Sequence, residues 1–192
     1  MRDWWPSSHG GWWVAAFAAL YAILYTANAF LVDWLQASVV AGRLDIIFLP
    51  AFVRIAAVLI AGTAGLLGLF IGAFMVAVVH LQDPPLQAFF VATASALGAW
   101  ASYAVTVWAV KPGVRNAQLT LALPILVVMA VFYCIFNAMI HALVWSLFGA
   151  VERLSIVQLA QMMFGDLLGV IVMFFITRWT IRFLRVMRPV TT

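Results

Sequence analysis

The sequence predicts an all-α fold, a polytopic bundle of membrane-spanning helices, and three observations carry that prediction. Hydrophobic residues make up 67% of the chain and charged residues only 8%, whereas a soluble domain is charged at about one residue in four. The apolar residues fall in runs, and several match the roughly 20 residues needed to cross a hydrocarbon core. The breaks between runs are short and rich in proline, glycine and charge. In 192 residues there is room for about six spans and for no additional soluble domain, so residues 1–192 are read as one integral membrane domain.

The first span covers about 11–32. It is too long for the apolar core of a cleaved signal peptide, and Trp4, Trp5, Trp12 and Trp13 gather where an interfacial aromatic belt belongs. Asn28 is its one strongly polar interior residue and is expected to face other helices. A polar connection from Gln36 to Asp45 follows. Residues 46–79 are then interrupted only by Arg54, too long for one ordinary span and slightly short for two. Pro50 suits a first helical turn, where its missing N–H would be unpaired in any case. Gly62, Gly65, Gly68 and Gly72 supply a turn and a smooth packing face of the kind membrane helices use. The reading is a short span over 46–62, a tight reversal near Gly62–Gly65, and a third span over 65–80, with a re-entrant hairpin as the alternative.

Gln82-Asp83-Pro84-Pro85 is a breaker. The fourth span, about 86–110, is rich in small residues, and Lys111-Pro112-Gly113-Val114-Arg115-Asn116 is a basic turn. The fifth, 119–148, is longer than a bilayer requires. The sixth covers 155–177 and is followed by a basic tail over 178–192. With both termini cytoplasmic, the inner side carries Arg2, Lys111, Arg115 and the tail residues Arg178, Arg182, Arg185 and Arg188. The outer side carries Arg43 and Arg153. That imbalance follows the positive-inside rule. The tail arginines suit anionic lipid headgroups or a partner protein.

Two residues violate the apolar pattern. Arg54 follows Phe48-Leu49-Pro50, and Asp166 sits within Phe164-Gly165-Asp166-Leu167-Leu168-Gly169. An ionisable group at the bilayer centre costs roughly 2.5–3.5 kcal/mol even on insertion scales, so it faces the bundle interior. Counted from Ile46 and Ser155, the two lie about 12 and about 16 Å deep, and on this topology both enter from the outer side. They are therefore expected to meet, either as a register-fixing pair or as the floor of an outward-facing pocket with Arg54 offered to an anionic group. Gly165 and Gly169 flank Asp166 and allow another backbone to come close. Tyr133, Asn137 and His141 recur every fourth residue and share one face of the fifth span, suited to interhelical hydrogen bonds or a ligand wall.

Other chemistry finds little footing. The lone Cys134 cannot form an internal disulfide. His80 and His141 lack the paired spacing of a haem site, and no cofactor or metal is expected. No phosphate-binding loop or nucleophile elbow is present, and the tail charge is better explained by a membrane than by nucleic acid.

The stretch Phe48-Leu49-Pro50-Ala51-Phe52-Val53-Arg54 with its following glycines resembles the early signature of MASE-type membrane-associated sensor domains. Phe164 to Gly169, ahead of an apolar helix with a basic end, resembles their late signature. The resemblance departs at Ala51-Phe52, where a glycine is expected soon after the proline. It implies a bacterial inner-membrane sensor domain. Since the sequence stops at Thr192 without an output module, it also implies a free-standing version whose signal passes to a separate protein. The expected function is a non-enzymatic sensor or accessory protein, held in membrane lipids and coupled to a protein partner or a second copy. The alternative is a small-molecule-binding subunit of a transporter, similar to vitamin-uptake components.

Overall fold

The computed structural model describes residues 10–35, 38–40, 44–109, 123–149 and 155–187. In chain order it has helix α1 (Gly10–Leu35), strands β1 (Ser38–Val40) and β2 (Leu44–Asp45), and helices α2 (Pro50–Val79), α3 (Pro85–Ala109), α4 (Leu123–Phe148) and α5 (Ile156–Met187). The strands form a small antiparallel ribbon, Ser38 opposite Asp45 and Val40 opposite Leu44. All five helices are long and apolar enough to cross a membrane, in keeping with a multi-pass helical protein.

Where separate spans over 46–62 and 65–80 were expected, there is one element, α2, broken at Gly62 (φ 54°, ψ −124°). The break reverses the chain. A Cβ added at Gly65 would run into the backbone carbonyl of Ala57, although the two positions would be about 12 Å apart along a straight helix. α2 is therefore a helical hairpin with a first arm, 50–61, and a second arm, 63–79. The first arm measures about 18 Å, well short of a hydrocarbon core of about 30 Å.

The expected helix start at Ile46 is also corrected. Residues 46–49 are non-helical and the helix begins at Pro50. Irregular backbone is tolerated inside an apolar bundle only if its polar groups find partners. Here they do: the Phe48 N–H donates to the Gly165 carbonyl (3.0 Å) and the Leu49 N–H to Asn28 Oδ1 (2.9 Å). Asn28 is buried, as its position predicts, because it closes this entry segment against α1.

Lipid gives no hydrophobic drive to helix association, so small residues decide which faces meet. A Cβ at Gly68 would strike Val14 and Phe17 of α1, and one at Gly72 would strike Ala18 and Tyr21. Rising numbers match rising numbers, so α1 and the second arm run parallel. Gly169 leaves no room for a Cβ against the Phe48 backbone, and Gly98 of α3 rests on Asn137 of α4. Gly62 departs from its expected packing role: a Cβ there meets nothing within 4 Å. Its contribution is the left-handed φ, which an L side chain resists.

The first arm is enclosed almost all round, with Ala51, Val53, Arg54, Ile55, Ala57 and Val58 buried. It is the centre of the bundle. Large apolar side chains such as Leu67, Phe89, Trp100, Val131 and Phe175 are exposed on the outer faces, where lipid would solvate them. Beyond α2, the Asp83 N–H donates to the Ala77 carbonyl (2.9 Å) and its carboxylate accepts from Gln87 Nε2 (2.8 Å), which stitches the breaker to both helices.

α5 corrects the other end of the chain. Its expected limit at Thr177 is exceeded, and the helix runs 32 residues to Met187, about 48 Å. Arg178 and Arg182 thus stand exposed on a helix rather than a tail, and Arg185 falls on the same helix. Between them Trp179 and Phe183 stack with centroids 5.7 Å apart. Arg188 and the loop residues Arg43, Lys111, Arg115 and Arg153 lie outside the described residues.

Candidate functional site

Arg54 occupies the second turn of the first arm and is only 4% exposed. Its side chain is held by two helices at once. Nη1 donates to Tyr133 Oη (2.7 Å) and to Asn137 Oδ1 (2.8 Å) on α4, and Nη2 donates to Tyr21 Oη (2.6 Å) on α1. The guanidinium also lies over the rings of Tyr21 and Phe48, 5.3 and 5.1 Å from their centroids, a cation–π arrangement that gains strength when desolvated.

Asn137 turns its other end toward α5, where Nδ2 donates to Asp166 Oδ2 (2.7 Å). The two charges singled out from the sequence thus share one buried network, with Asn137 as its relay. An amide suits this place because it accepts at one end and donates at the other. Taking an ion out of water costs several kcal/mol, which only excellent geometry and further hydrogen bonds offset. Arg54 has that geometry on both α1 and α4.

Tyr133, Asn137 and His141 share one face of α4, as their spacing predicts, and the stripe continues to Trp145. His141 Nδ1 lies 3.1 Å from the Asn137 carbonyl oxygen. That oxygen can only accept, so Nδ1 carries a proton. Nε2 lies 3.4 Å from Ser95 Oγ, whose own hydrogen serves the Val91 carbonyl (3.1 Å). The His141 and Trp145 rings meet edge to face at 5.5 Å.

Above the network lies a cavity of about 60 Å³. Arg54, Asn137 and Asp166 form its polar base, and Tyr25, Phe48, Val76, Val91, Trp145 and Met162 are among its walls. Val76 and Trp145 come from the late turns of the second arm and α4, Val91 and Met162 from the early turns of α3 and α5, Tyr25 from the later half of α1 and Phe48 from the segment before α2. The cavity therefore sits toward the end of the bundle that carries the 80–84 turn.

Sequence reasoning missed Tyr21, Trp145 and Ser95, and two of them left a signal. Trp145 is simply the next step of four after Tyr133, Asn137 and His141. Tyr21 precedes Asn28 by seven residues and so shares its face. Other candidates fall elsewhere. His80 is exposed and packs edge-on against Tyr25 at 5.5 Å, and it does not line the cavity. Arg178 and Arg182 lie three turns and more along α5 from Asp166. Among the described residues no group of His, Cys, Asp and Glu is arranged to hold a metal ion.

No family model matches the chain, and no curated protein or solved structure matches it. Fold and site together define a class: a multi-pass helical membrane protein whose buried arginine and aspartate are joined through an asparagine beneath a small cavity.

Proposed function

We propose that this protein is a sensor or accessory protein of the bacterial inner membrane, without catalytic activity of its own. It binds a small molecule above the Arg54–Asn137–Asp166 network and conveys occupancy to a partner through helix packing and the basic end of α5. One observation carries this reading. The cavity touches α1, both arms of α2, α3, α4 and α5, so a guest contacts every helical segment at once and can bias how they pack. Counting the arms of α2 as separate crossings gives six, with both chain ends on one side. The distribution of basic residues assigns that side to the cytoplasm, which turns the cavity toward the outer face.

The two stretches that carry the resemblance to MASE-type sensor domains lie side by side in the bundle. Phe48 of the early stretch is hydrogen-bonded to Gly165 of the late one. The second reading, a binding subunit of a vitamin transporter, requires a larger guest. A cavity of about 60 Å³ has room for only some four to six water molecules at about 10–15 Å³ each, which favours sensing a compact molecule.

The test is to purify the protein in mild detergent and identify by mass spectrometry what small molecule it releases, beside a Val91→Phe variant that fills the cavity. A compound present with the parent protein and absent with the variant is expected. Identical profiles from both proteins would remove the ligand-binding reading.

A further inference from the structure

The cavity's charge and hydrogen-bonding groups define the kind of guest it can take. Its base contains one guanidinium and one carboxylate, which sum to zero. Both terminal nitrogens of the guanidinium are also already engaged, donating to Tyr133, Asn137 and Tyr21. An anion placed there would leave an uncompensated negative charge in a low-dielectric interior beside Asp166. A cation would leave a positive one beside Arg54. Either arrangement is costly unless a counter-charge enters with the guest.

The hydrogen-bonding groups around the cavity are not all used. The Trp145 indole N–H and the Arg54 Nε–H are buried with no acceptor among the described residues, and both residues line the cavity. His141 also lines it. In the uncharged ring Nε2 is an acceptor whose near neighbour, Ser95 Oγ at 3.4 Å, gives its hydrogen to the Val91 carbonyl. On one face of α4, one turn apart, there is thus a donor lacking an acceptor and an acceptor with only a distant polar neighbour. Unmet buried groups of this kind are costly, and a guest that meets both relieves that cost.

We propose that the cavity recognises a small uncharged molecule bearing an acceptor oxygen beside an N–H or O–H donor, the pattern of a primary amide or urea, and rejects ions of equal size. The acceptor faces Trp145 and the donor faces His141, with Phe48, Val91 and Met162 around the apolar part. This reverses the expectation that Arg54 is offered to an anionic group. It rests on the reading of the cavity as a ligand site, and it adds the charge and pattern of that ligand.

The experiment compares three probes of one shape, propionamide, propionate and propionamidinium, by thermal unfolding of the full chain in detergent at neutral pH. Propionamide is expected to raise the melting temperature in a saturable way, and the two ions to bind at least about tenfold more weakly. The shift should vanish in Val91→Phe and in Ala77→Val, a milder filling of the same space. In Asp166→Asn, whose base carries a net positive charge, preference should pass to propionate. The parent-protein series stands by itself if that variant folds poorly. Propionate bound by the parent protein as well as propionamide, and lost on filling the cavity, would overturn the charge argument and leave the ligand site intact. A released compound that depends on the cavity, together with no response to propionamide, would overturn this inference alone. Neither a released compound nor a probe response would overturn both.

Discussion

Arg54 and Asp166 show how a side chain that is unfavourable by itself becomes tolerable through its neighbours. The guanidinium has protein acceptors for both terminal nitrogens and aromatic faces beside it, so its desolvation is met on two sides. Removing one member of such a network strands the other. Arg54→Ala or Asp166→Ala is expected to cost about 3–5 kcal/mol, seen as lower folded yield and earlier unfolding in detergent. The double variant should recover part of that loss, whereas purely additive damage would show that the two charges are energetically independent. Asn137→Leu keeps volume but breaks the relay at both ends, and it should destabilise nearly as much as either charge deletion. A loss below about 1 kcal/mol, the net value of one ordinary hydrogen bond, would show that the relay is dispensable.

Among the elements, α2 carries the most information. Its first arm is short because it is a central post, and its length is limited by the reversal at Gly62 rather than by bilayer thickness. Two glycines serve that reversal for different reasons, so their variants should differ. Gly62→Ala meets no neighbour but must hold a left-handed φ, a strain of about 1–3 kcal/mol. Gly65→Val pushes a side chain into the Ala57 carbonyl and should separate the arms, with a larger loss of melting temperature than Gly62→Ala. The reverse order would mean that the arms are not tightly apposed. α5 makes the complementary point. Its final turns carry Arg178, Arg182, Trp179 and Phe183 on exposed helix, a combination suited to the headgroup level, where aromatic rings and arginines both sit comfortably.

For the whole molecule, the hairpin decides sidedness. If the two arms act as separate crossings, three passages, α1 and the two arms, separate the start of α1 from the 80–84 turn and put them on opposite faces of the membrane; a single crossing by α2 would put them on the same face. With separate crossings, single cysteines at Gly11 and Gln82, both exposed positions, should react with a membrane-impermeant maleimide from opposite sides in intact cells and inverted vesicles. Labelling of both from the same side would mean that α2 crosses only once, and the cavity would then face the cytoplasm. The buried Cys134 provides a low background for this measurement.

Hydropathy alone determined that this chain is a helical membrane protein, because hydrocarbon demands long apolar runs with every backbone group bonded internally. The same physics marked Arg54 and Asp166, since a charge in such a run is too costly to lack a structural reason, and the period of the helix aligned Tyr133, Asn137 and His141. The glycines indicated where the chain could turn. Only the tertiary structure decided that Asn137 joins the two charges, that Phe48 and Leu49 enter as unwound backbone bonded to Gly165 and Asn28, and that Tyr21 and Trp145 belong to the site. Those facts depend on which helix faces approach each other. In a chain apolar on nearly every face, side-chain polarity does not distinguish the face that meets a neighbour from the face that meets lipid.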